Sequence, residues 1–504
     1  MPEIPATLPP EQQRSILATL LRPKVAIPLS LLVLLLLSPL IIRGWFLRGV
    51  PDIPEPFDAE PLLSLEIPDA ENAYVDYRLA SSLYIAPSQH VAELRDGETF
   101  DVPLGINKEG WHLADDDVRQ FLQDNENALL AWKRGSDKDL AQYLPAQDYD
   151  IATILDVPQS LREFQRAVML LGRKLEAEGQ HEDAWEWYRA AMRASRHSGR
   201  NGILIERLIG IACFSLTAQR LEDWAAQPGV SRELLLRAVN EFQADWKLTE
   251  KNSTVWKIDY LSTMTTIAQC ESGKLNWSDL EVSASWDVPI NSSTLFLMGE
   301  PTLGKRLLRI FFDNQLQYCD LLPFERPDDF WSETGLFQTG NPEELTPEEF
   351  DLAVQRSFIA NLFLFGSQHV HQAFDRDEIK YRTLLVTLAG QAFYRDHERF
   401  PNSLDELVPD YLHEIPLDIY DGKPLKYRFD ADGPVVYSVF ENGTDEGGLE
   451  WSFDQISGSG KYHPDDHGFR MSVPQIKPLR ADKPPDSFET EGYGEYSSSD
   501  VEVP

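Results

Sequence analysis

Cysteine is scarce in this chain. The three that occur, Cys213, Cys270 and Cys319, are odd in number, far apart and without CxxC spacing. That excludes a disulfide framework and a cysteine-built zinc site; a single disulfide among them stays open, and with it the redox compartment. Basic charge is short as well, with 46 Lys and Arg against 82 Asp and Glu. So acidic a surface repels phosphate backbones, and nucleic acid is not expected as a partner. Cations or basic partners would suit it better, although a solvated, soluble surface is the simpler account. Catalytic signatures are missing too: there is no nucleophile elbow, zinc-protease helix or supported Ser/His/Asp order. Runs such as Asp115-Asp116-Asp117 or Asp465-Asp466 arise by chance among 82 acidic residues, so no catalytic residue is assigned.

One long apolar run stands out. Residues 25–42, "VAIPLSLLVLLLLSPLII", hold eighteen residues without a charge, between Arg22 and Lys24 on one side and Arg43 and Arg48 on the other. About twenty apolar residues cross a bilayer, so a transmembrane helix is expected over 25–42. A cleaved signal peptide is the competing reading, but the run is long for one and Ile41-Ile42-Arg43 offers no small-residue cleavage site. Arg14, Arg22 and Lys24 outnumber Arg43 and Arg48. The positive-inside rule then puts the 1–24 tail in the cytoplasm and the bulk outside it, in the periplasm of a bacterium.

Residues 49–69 are rich in Pro and acid and read as a stiff stalk. From 70 to 376 helical periodicity dominates, giving a mainly α chain. Leu161, Phe164, Val168, Leu171 and Leu175 mark one buried stripe. Residues 203–216, "ILIERLIGIACFSL", are apolar nearly all round and predict a central helix with Cys213 buried in it. Gly172, Leu175, Gly179, Ala184, Tyr188 and Ala191 fall at the spacing of a tetratricopeptide repeat, so a helical hairpin is expected over 161–197. No second copy fits, and a repeat array needs several units. Thr346, Pro347 and Glu349 form a capping box, with Leu345 stapled onto Phe350, for a helix running to about His371. A second helix is expected over 377–397, and 475–504 reads as a disordered acidic tail.

Two motifs invite chemistry. Gly299, Gly304 and Lys305 keep the spacing of a phosphate-binding loop, after the strand-like "STLFLM". Arg306, however, replaces the Ser or Thr that would hold magnesium, and Pro301 stiffens the loop. "SQHVHQAFDRDE" offers His369, His371, Asp375, Asp377 and Glu378. Histidines two apart on a helix point away from each other, and His371 with Asp375 makes only two metal ligands, so a solvated helix end is expected.

From Phe400 the grammar changes. Ser403 and Glu406 suggest a capped turn, Asp421-Gly422 turns into "PLKYRF", and Asp432-Gly433 turns into "VVYSVF". "LEWSFDQI" is a candidate third strand, so 377–456 reads as a small α+β module. The order "FPNSLDELVP", "IPLD", "GKPLKYR" and "DGPVVYSVFENGTDEGG", spanning Tyr381 to Leu449, resembles the globular end of major pseudopilins of type II secretion systems. With the anchor, "AENAYVDYRLA" and "EGQHEDAWEWYRAAMRASRHSG", the chain resembles membrane-anchored planctomycete-type proteins that end in this module. The resemblance implies placement by envelope machinery and a calcium-binding loop, whose matching positions here are Asn442, Asp445, Glu446 and Asp454. More than three hundred residues separate Ile42 from Tyr381, and no pseudopilin processing site precedes the anchor. A filament subunit is therefore not expected. The expectation is a single-pass envelope protein that binds or scaffolds protein partners. The alternatives are an NTPase using residues 299–305, an unrecognised envelope hydrolase, or a calcium-responsive module.

Overall fold

The computed structural model describes residues 23–88, 110–277, 280, 292–327, 330–331, 335–336, 345–364, 366–430, 433–448 and 466–474. Residues 1–22, the strand expected over 449–456 and the tail over 475–504 lie outside them. The described helices are α1 (Pro23–Leu47), α2 (Glu60–Leu63), α3 (Ala73–Leu83), α4 (Asp116–Asp124), α5 (Glu126–Ser136), α6 (Asp156–Ala177), α7 (His181–His197) and α8 (Leu204–Ala225). They continue as α9 (Arg232–Trp246), α10 (Asn252–Glu271), α11 (Ser292–Leu297), α12 (Thr302–Tyr318), α13 (Pro347–Val354), α14 (Phe358–Phe363) and α15 (Ser367–His397). Strands β1 (Lys426–Asp430), β2 (Gly433–Ser438) and β3 (His467–Arg470) form an antiparallel sheet in that order, with Lys426 opposite Tyr437 and Val436 opposite Phe469. The chain is thus mainly helical.

Helix α1 is long and apolar enough to cross a membrane. Over Ser30–Leu47 its mean hydropathy is 2.1 and none of that stretch is buried. It runs five residues past Ile42, so Arg43 lies inside the helix rather than beyond it.

Local chemistry sets several helix starts. Asp115 accepts the Val118 amide at 2.9 Å and opens α4. At α13 the expected capping box forms, with Thr346 Oγ1 accepting the Glu349 amide at 3.3 Å and Glu349 accepting the Thr346 amide at 3.1 Å. The turn over Leu404–Leu407 is capped differently from expectation. Glu406 takes the Asn402 amide at 2.9 Å, and Ser403 makes no cap.

The stripe from Leu161 to Leu175 packs α6 onto α7 as the expected hairpin. Its tightness depends on Gly172, where a Cβ would lie 2.2 Å from the fully buried Tyr188 ring. Helix α8 is central, buried on most of its length. One core joins α3 to α9 with the second half of α15 and the sheet; another joins α10, α12, α13, α14 and the first half of α15.

Three expectations are revised here. "STLFLM" is helical over Ser292–Leu297, because an apolar run of only four residues suits a helical turn as well as a strand. The helix expected from Thr346 to His371 is broken into α13 and α14, and α15 begins at Ser367, not Asp377. The boundary at 376/377 therefore falls inside a continuous 31-residue helix shared by both cores. The Pro- and acid-rich segment after α1 does not stand free. Val50 is buried, Asp52 pairs with Arg306 and Arg309, and Glu55 pairs with Arg309 at 2.8 Å.

Candidate functional site

The phosphate-loop look-alike sits between α11 and α12. Gly299 adopts φ +86, and a Cβ there would also press on Leu47 at 3.2 Å. The position a phosphate would take on the first amides of α12 is held by the chain's own Glu300. Its carboxylate accepts the Gly304 amide at 3.0 Å, the Ser357 hydroxyl at 2.6 Å and the Ile359 amide at 3.3 Å. One anion thereby caps α12 and α14, as helix N-termini favour. Lys305, which would reach a phosphate, pairs with Glu271 at 2.6 Å. The loop is instead the seat of the end of α1. Arg43 donates to Phe296 O at 2.9 Å, Glu300 O at 3.2 Å and Thr302 Oγ1 at 2.9 Å, and lies 4.8 Å over the Phe296 ring.

The acids of "FDRDE" are not a solvated helix end; Asp375 and Asp377 are buried and paired, and Glu378 is half-buried. Asp377 takes Arg196 through both oxygens at 2.6 and 3.2 Å, and Arg207 at 2.9 Å. Burial alone would raise its pKa, but these two guanidinium groups outweigh it and hold the carboxyl below its usual value. Arg196 lies 4.7 Å from the Phe214 ring and 4.5 Å from that of Trp246. Asp375 binds Arg326 at 2.6 and 2.8 Å, and Trp246 donates to Glu378 at 3.1 Å. His371, one turn before Asp375, is buried 3.0 Å from Gln315 Oε1, and burial pushes its pKa well down. Neither group is available to a metal. His369 contacts Gln372 at 3.1 Å on the exposed side.

Glu206, beside Arg207 on α8, is buried, and among the described residues no cation offsets its carboxylate. The Tyr149 hydroxyl and the Gly199 amide offset only part of the burial, which pushes the carboxyl up to about 8.

In the carboxyl-terminal loop, Asp445 accepts from the Tyr437 hydroxyl at 2.8 Å and the Gly447 amide at 2.9 Å. Asn442 donates to Glu446 at 2.7 Å. Asp466, which the sequence reading did not connect with this loop, accepts the Gly448 amide at 2.7 Å, and burial pushes it up to about 7. Asp454 lies outside the described residues, and among those described no group of three or more His, Cys, Asp or Glu is arranged to hold a metal ion. Cys213, Cys270 and Cys319 are buried thiols.

An open groove of about 480 Å³ runs along the hairpin, between α6–α7 and α4–α5. Trp111, Arg119, Leu130, Leu171, Lys174 and Trp187 line it. Arg119 lies 5.2 Å over the Trp111 ring, and Lys133 lies 5.6 Å over that of Trp187. The sequence pattern marked the hairpin and Leu171 but not the other lining residues. Their only signal was position: Lys174 and Trp187 fall off the stripe that packs the two helices together.

Compared with protein-family models, with curated proteins and with solved structures, the chain matches none.

Proposed function

We propose that this protein is a single-pass membrane protein whose helical body, held outside the cytoplasmic membrane, binds a partner protein through the hairpin groove. The pseudopilin-like ending, proposed from its residue order, would set it among envelope machinery. The observation that carries the reading is the groove itself. Two tryptophans and the cations Arg119 and Lys174 line one open face beside a single acid, Glu126, with Lys133 against the Trp187 ring, in a chain with net charge −36. Tryptophan and arginine supply most of the energy at protein interfaces. The matching partner is an acidic segment carrying an aromatic or large apolar side chain, its charge met by the cations and its ring seated between Trp111 and Trp187.

The test places a photo-crosslinking residue at Leu130 in the full chain, in native membranes. A discrete adduct that disappears when Trp187 is changed to Ala supports the reading. An adduct unaffected by that change, or none at all, removes it. Protease protection in spheroplasts and inside-out vesicles tests the placement separately: cleavage of the body only in inside-out vesicles would overturn it.

A further inference from the structure

The end of the anchor fixes where the bilayer surface must lie. The uncharged run 25–42, at 1.5 Å per helical residue, is about 27 Å long, close to the thickness of a bilayer's hydrocarbon core. Arg43, the next residue, is then the first charge at the membrane boundary. Its guanidinium is taken up by α11 and the start of α12, through Phe296 O, Glu300 O and Thr302 Oγ1. If α1 spans the membrane, these atoms lie within a few ångströms of the plane where the apolar run ends.

Helix α11 is built for that position. Leu295 turns into the body and is buried, while Phe296 remains 42 % exposed with Arg43 against its ring. On α1, Trp45 is 59 % exposed, two residues past Arg43, and Phe46 and Leu47 pack toward Gly299. An aromatic side chain left in water at this level gains by entering the headgroup region, where Trp and other amphipathic side chains collect. We infer that α11 and the last turn of α1 form a membrane-contact foot. Phe296 and Trp45 enter the headgroup layer of the bilayer, and Arg43 ties that layer to the body through protein carbonyls. The partner is the lipid surface itself. The body then rests on the membrane at a fixed angle instead of hanging from a flexible stalk. This inference rests on the reading of α1 as a spanning helix.

The experiment uses the full chain in lipid nanodiscs, since the native thiols are buried. One added cysteine, F296C or L36C, carries an environment-sensitive fluorophore. Nitroxide lipids labelled near the headgroup or at mid-chain act as quenchers. The expected result is loss of emission at position 296 with the headgroup-level nitroxide, and at position 36 with the mid-chain nitroxide. Quenching at 36 without quenching at 296 would overturn the foot and leave the anchor standing. No quenching at either would overturn the anchor, and the foot with it. S293C, on the same helix, repeats the measurement if the change at Phe296 disturbs the joint.

Discussion

Replacing Glu206 with Gln should make this protein more stable at neutral pH, and the gain should grow with pH. The ordinary value for the carboxyl is 4.5, and burial lifts it to about 8 in the folded chain. Between those values the folded protein keeps a proton that the unfolded chain has released. The stability tied to this group is therefore fully present below pH 4.5 and is lost as pH rises toward 8. At pH 7 the loss spans two and a half pH units, or about 3 kcal/mol at 1.36 kcal/mol per unit. That is large against the 5–15 kcal/mol that holds a typical domain together. Glutamine keeps the shape of the protonated acid and cannot ionise. It leaves Ser198 free to donate to the backbone carbonyl of residue 206, and Arg207 free to hold Asp377. Urea titrations of both proteins at pH 5, 6, 7 and 8 would be followed by the fluorescence of the buried Trp132, Trp185 and Trp224. The variant should match the wild type near pH 5 and exceed it by about 3 kcal/mol at pH 7. A gap of the same size at pH 5 and pH 8, or a variant weaker at pH 8, would refute the reasoning. It would mean that the carboxylate has a compensating charge in the folded state.

Two further outcomes follow from packing. Asp377→Asn leaves Arg196 and Arg207 buried without their shared counter-charge. It should cost about 3–5 kcal/mol in the same titration; a loss below about 1 kcal/mol, the ordinary worth of an exposed pair, would refute the buried network. Gly172→Ala would drive a methyl into the Tyr188 ring, whose hydroxyl is held by Glu176 at 2.6 Å. Overpacking of this kind costs about 1–3 kcal/mol, and an unchanged urea midpoint would show that α6 and α7 can part without loss.

What the sequence made legible was local. The capping box at Thr346, the stripe on α6, the small residues of the hairpin and the apolar run each encode their structure within one or two helical turns. What it hid was carried by distance. Asp375 and Asp377 looked like a solvated end because their arginines come from Arg326, Arg196 and Arg207, 49 to 181 residues away. The loop at Gly299 looked ready for phosphate because spacing specifies amides that want an anion, not which anion arrives. Glu300 arrives first, being part of the loop. Glu206 was hidden for the opposite reason, since a charged dipeptide inside an apolar helix gives no sign that only one of its two charges is answered.

The misplaced boundary at residue 376 bears most directly on function. A module that starts at Asp377 could swing on a linker, and the sequence offered no objection to that. In the fold, the first half of α15 puts Val370 and Phe374 into the core that also takes Val50, with Phe46 and Leu47 against it. The second half puts Leu384, Leu388 and Phe393 into the core that carries β2 and β3. One helix of 31 residues, about 46 Å long, therefore connects the seat of α1 to the sheet with no hinge between. Asp377, about a third of the way along it, is clamped by α7 and α8, the hairpin's second helix and its neighbour. Anything bound in the hairpin groove is thus held at a set position relative to both the end of α1 and the carboxyl-terminal sheet. Rigid registration of three surfaces is what a scaffold requires and what a tethered, freely moving module could not supply.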